Sequence, residues 1–196
     1  MSATLPKLAA PLAPLLPRLD FEPPAIAALS GAATAAEGIA KLEAAGLRGE
    51  ATRLAAQALP KREAVWWCCM CARAVPGPGV TEADLAALAA AEAWVRAPAD
   101  EKLRRAAMAA AEKAGFKTPE AWAAVGAFWS GGSMAPEGAP AVPPGEHFTG
   151  LAIGGGVALA SVRTRPERAQ DRLARFLASA REIAGGGAGR IAPEES

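Results

Sequence analysis

Alanine stands at 53 of the 196 positions and is spread along the whole chain. It is the best intrinsic helix former, and its small side chain lets helix axes approach closely. Valine, isoleucine, threonine and aromatic residues, which favour strands, are scarce; aromatics make up 5% and tyrosine is absent. The expectation is an all-α fold, a compact Ala-rich bundle. The length fits one domain with a real core.

Apolar spacing at helical period and the breaker residues divide the chain. We count seven or eight helices over 24–184, drawn from segments at 24–30, 34–45, 49–59, 61–75, 81–96, 98–114, 118–129, 148–162 and 166–184. Thr81 and Thr118 are the expected N-caps, with Asp84 and Glu120 in the following first turns and Pro119 at the first helical position. Gly46, Gly115 and the Gly131-Gly132 pair act as stops. Residues 1–23, rich in proline and leucine, read as a flexible extended tail. Residues 131–146 read as a long loop within the domain, and 185–196, rich in glycine, as a flexible C-terminal tail.

Charge and residue counts remove several functions. Lysine plus arginine number 21 against 20 acidic residues, a net charge of +1, and both halves are balanced. The basic excess of a nucleic-acid binder is missing. His147 is the one histidine, so a His pair on zinc and the HExxH helix are excluded. No P-loop motif occurs, and Gly154-Gly155-Gly156 lies inside an apolar run rather than between a strand and a helix. Prolines at 6, 11, 14 and 17 interrupt the first segment, which argues against a secretory leader. The longest uncharged apolar run, 148–162, is shorter than the ~20 residues of a membrane span. A cytoplasmic, soluble protein is expected.

Few residue groups could carry chemistry. Cys68 and Cys71 form a CxxC within WWCCMC, but the redox motif wants a βαβ context and zinc wants four ligands. Buried, reduced thiols are expected, with no metal and no cofactor. The helix 61–75 reads as the centre of the bundle, with its polar residues at its ends. Lys61, Arg62, Trp66, Trp67 and Arg73 are the candidate partner contacts. Trp66 and Trp67 point about 100° apart on a helix, so both are buried only if that helix is central; otherwise one lines a groove. The plainer reading of the arginines is an internal ion pair, for instance with Glu50 or Glu92. Arg165, Arg168, Arg172 and Arg175 form a stripe on the last helix: either a face for an anionic partner or a solvated face paired in part through Asp171 and Arg175. Gly150 and Gly154, with Gly155, Gly156, Ala158 and Ala160 beside them, suggest a close helix contact, within the chain or across a homodimer seam at 150–160. His147 at a loop–helix junction reads as structural.

The segments LPKREAVWWCCMCARAV (59–75), AWAAVGAFWSGGSMAP (121–136) and GLAIGGGVALASV with the Arg-rich helix after it (150–175) resemble an uncharacterised bacterial family, a domain of unknown function associated with type VI secretion gene neighbourhoods. The resemblance implies an accessory or adaptor role near a secretion apparatus and brings no catalytic residues. The residues themselves favour a non-enzymatic protein–protein interaction module, an adaptor or chaperone. The alternatives are an enzyme or small-molecule binder with a pocket using Arg62, Glu63, His147 or Cys71, and a self-associating structural protein.

Overall fold

A computed structural model describes residues 5–194. Within them lie nine α-helices and no strand: α1 Pro23–Ala28, α2 Ala35–Ala44, α3 Arg48–Ala58, α4 Lys61–Ala74, α5 Glu82–Arg96, α6 Glu101–Ala114, α7 Pro119–Phe128, α8 Phe148–Val162 and α9 Ala169–Ala184. The all-α bundle expected from the alanine content is the fold. The count among the described residues is nine rather than seven or eight, one helix in each of the nine segments.

Local chemistry sets the ends. Thr34 and Thr81 close capping boxes with Glu37 and Asp84. Thr118 accepts from the Ala121 amide ahead of Pro119. Asp100, not Pro98, starts α6; its carboxylate takes the amides of Lys102 and Leu103. The last segment opens with a 3-10 turn at Pro166–Arg168 before α9. Residues 131–146 form no helix.

α4 packs against α3, α5, α7, α8 and α9. Nine of its fourteen residues are buried, Trp67 and all three cysteines among them, so it is the central helix anticipated. α5, α6 and α7 stack on one side, and α2 and α3 lie on another with α8 and α9. Small residues bring α8 close. A side chain at Gly156 would stand 2.7 Å from Cys68 Sγ, and one at Gly126 of α7 would stand 2.6 Å from Ile153 Cδ1. A side chain at Gly154 would meet Ala56 at 3.7 Å, an ordinary contact. The close approaches of α8 are therefore at Gly150, against Gln57, and at Gly156, and they are made within the chain.

The two ends depart from the expected tails. Leu8, Leu12, Leu15 and Leu19 are buried in the main core. Their spacing of three and four residues is helical; prolines break the run into 3-10 turns at Pro6–Leu8 and Leu16–Arg18 but leave the leucines facing inward. Main-chain bonds from Leu12 to Ala33 and from Ala35 to Ala10, each 2.9 Å, tie this segment to the start of α2. At the other end, residues 188–194 lie against α4 and α9, held by the contacts described below.

Candidate functional site

The five candidate contacts on α4 separate. Trp67 is fully buried and donates from Nε1 to the Phe176 carbonyl at 2.8 Å, so it is a core residue and faces no partner. Trp66, one position earlier, is half-buried, and its Nε1 donates to the Ala188 carbonyl at 2.8 Å. Arg73 makes two bonds to the Glu92 carboxylate, at 2.6 and 2.9 Å, the internal pair that its sequence position also allowed. Lys61 donates to the Ser130 carbonyl at 3.0 Å, and Arg62 to the Val95 carbonyl at 2.8 Å. Lys61 and Arg62 line a shallow cavity of about 370 Å³ with Trp94, Asp100, Glu101 and Gly132. Arg62 and Trp66 line a second, of about 410 Å³, with Lys7, Glu63 and Ala188. Arg73 lines neither.

None of Arg165, Arg168, Arg172 and Arg175 pairs with Asp171, and the four differ in exposure. Arg172 is 1% exposed. Its Nη1 donates to the carbonyls of Ser161 at 2.9 Å and Arg163 at 2.7 Å, and its Nε and Nη2 reach the Glu194 carboxylate. Arg168 and Arg175 pair with the same carboxylate, at 3.3 and 3.2 Å. Arg165 is exposed and lines a cavity of about 570 Å³ with Arg172, Glu194 and Thr164. The hydrogen bond from Arg172, followed by the other guanidiniums, holds Glu194 below the usual carboxylate range despite its burial.

The reactive side chains lie apart. The three cysteines are free and buried. Burial pushes their thiols well up, with nearby Glu120 adding to this at Cys68, so no thiolate nucleophile forms at neutral pH. His147 stands edge-on to Phe148 with centroids 4.9 Å apart, and its carbonyl accepts from Gln57. Among the described residues no three His, Cys, Asp or Glu side chains cluster to hold a metal, and no helix is long and apolar enough to cross a membrane.

The sequence marked 150–160 by its small residues, as a close contact or a homodimer seam; what it did not mark is the large apolar side chains on the outward face of α8. The helix carries no charged residue, yet Leu151, Leu159 and Val162 are exposed large apolar side chains, Leu151 at 59%. Gly155 and Ala158 lie between them, exposed. A groove of about 260 Å³ runs alongside, lined by Leu19, Gly150, Leu151, Gly154 and Ala158, with Arg18 and Arg53 also on its wall. The signal for it was the charge-free run 148–162 itself, which needs one more buried face than a helix on the flank of a bundle receives.

The class is thus an all-helical domain with internally paired arginines and one bare apolar helix face. The chain belongs to the family of unknown function DUF6931, whose model matches residues 38–184. No curated protein and no solved structure matches it.

Proposed function

We propose that the protein is a non-enzymatic protein–protein interaction module that takes an amphipathic helix of a partner along the outer face of α8. The observation that carries this is the exposure of Leu151, Leu159 and Val162 on a helix without a single charge. Gly155 and Ala158 leave a trough between the large side chains, so a second helix can approach closely. The basic Arg18 and Arg53 at the adjoining groove favour acidic residues flanking the partner's apolar stripe. The resemblance of 59–75, 121–136 and 150–175 to a secretion-associated bacterial domain supports an adaptor or chaperone accessory to a secretion system. A second reading, self-association, is favoured by the even spacing of Leu151, Gly155 and Leu159. Two antiparallel copies about a twofold axis at Gly155 would set Leu151 of each against Leu159 of the other.

The test is Leu159→Glu, with Leu85→Glu on the exposed side of α5 as the control. A protein captured from the native host should be lost with Leu159→Glu and kept with Leu85→Glu, both variants retaining wild-type circular dichroism. Equal capture by both variants would refute the α8 assignment. Light scattering of the purified chain decides the second reading: a concentration-independent monomer mass removes it.

A further inference from the structure

Residues 188–194 are held in the manner of a bound extended peptide. The body addresses their main chain. Trp66 Nε1 donates to the Ala188 carbonyl at 2.8 Å, Ser179 Oγ to the Gly189 carbonyl at 2.6 Å, and Arg175 to the Ala192 carbonyl. The Glu182 carboxylate accepts from the Gly189 amide at 3.1 Å, and the Ala74 carbonyl from the Glu194 amide at 2.8 Å. Arg190, Ala192 and Pro193 are exposed and Ile191 is half-buried. The side chain that the body reads specifically is Glu194, through Arg168, Arg172 and Arg175.

Arg172 does not rest on Glu194 alone. The buried Arg172 is fixed by the carbonyls of Ser161 and Arg163, so its remaining N–H groups point in one direction. Three guanidiniums meet one carboxylate, which leaves two positive charges in excess at that point, and Arg165 lines the cavity that continues from it. An occupant with more than one acidic group would match this site better than Glu194 does.

We propose that the groove between α4 and α9 is a binding site for an extended acidic peptide of a partner protein, which the chain's own residues 188–194 occupy and a partner displaces. The site is separate from the α8 face and stands or falls independently of it. Tethering gives the internal segment an effective concentration on the order of 1 mM, so an external peptide binds well only when the internal contact is weakened.

The probe is a fluorescein-labelled peptide of residues 188–194, with glutamine for the arginine and the C-terminus amidated, titrated by fluorescence anisotropy into the 196-residue chain. Glu194→Gln should bind it at least tenfold tighter than the wild type does. The affinity should fall as salt rises. It should also fall at least tenfold in Glu194→Gln carrying Arg168→Gln and Arg175→Gln, both partly exposed and so replaceable without opening the core. A peptide ending in glutamine in place of glutamate should bind as weakly as the wild-type pair. Equal binding of the peptide by Glu194→Gln and the wild type, or of both peptides by Glu194→Gln, would overturn the proposal. Should Glu194→Gln lose its fold, the unaltered protein serves. Excess unlabelled peptide should speed trypsin cleavage after Arg190, and an unchanged rate would overturn the proposal equally.

Discussion

Gly155 and Gly156 are neighbours in α8 with opposite surroundings, and they separate helix propensity from packing. A methyl group on Gly155 meets nothing within 4 Å; one on Gly156 meets Cys68 Sγ at 2.7 Å and Trp122 Cβ at 3.1 Å. The first is a short side chain on α4 and the second a Cβ atom fixed to the backbone of α7, so neither can swing aside. Gly155→Ala should raise stability by about 0.5–1 kcal/mol through propensity alone. Gly156→Ala should lower it by about 1–3 kcal/mol through overpacking. Urea unfolding of the two variants reads the contrast, and equal shifts of one sign would refute the packing account. The sequence located this glycine cluster as a close-contact site but singled out Gly150 and Gly154 by their spacing. Spacing assigns a face; the partner's side-chain size decides which position on it is tight.

Helix starts were the most legible elements, because an N-cap is written in four consecutive residues. Thr81 and Thr118 were both identified from such a stretch. What the sequence hides is that one carboxylate serves both helices. Asp84 takes the Thr81 amide at 2.9 Å and hydroxyl at 2.7 Å at the start of α5, and accepts the Thr118 hydroxyl at 2.7 Å at the start of α7. Asp84 and Thr118 lie 34 residues apart, so no local pattern reports the link. Burial pushes the Asp84 carboxyl up, but the hydrogen bonds from Thr118 and Thr81 outweigh it and hold the group below its ordinary range. A carboxyl depressed in the folded state stabilises the fold above its unfolded pKa, and that contribution is lost as pH falls through the folded value. Asp84→Ala should therefore cost about 1–3 kcal/mol at pH 7, and the deficit relative to wild type should narrow on going down through the carboxylate range. Urea midpoints of both proteins between pH 7 and pH 3 check this; a gap that stays constant would mean that Asp84 acts by packing alone.

At the scale of the whole molecule the body was legible and the ends were not. The central place of α4 followed from an apolar core with polar residues only at its ends, a property of one helix. The ends were read by composition: proline suggested a flexible N-terminal tail and glycine a flexible C-terminal one. Composition does not register that Leu8, Leu12, Leu15 and Leu19 recur at helical spacing, nor that Glu194 lies within reach of arginines some 20 residues earlier in the chain. The matched family region begins at Gly38, and a side chain there would stand 3.3 Å from Leu12 and 2.9 Å from Leu54. The N-terminal segment thus packs into the same seam as α2 and α3. Leu19 is 2% exposed, and its carbonyl accepts from Arg53, which also lies over the Phe21 ring at 5.2 Å. If this segment unfolds with the body, Leu19→Ala removes a buried side chain from the common core and should cost about 2–5 kcal/mol, with one unfolding transition retained. A segment that frays on its own would leave the main midpoint where it is, since the lost contacts would already be broken before the body opens. Thermal unfolding of Leu19→Ala beside Leu42→Ala in α2, a core position of the body proper, distinguishes the two. Comparable shifts place the leucine segment inside the cooperative unit, and an unshifted Leu19→Ala would place it outside.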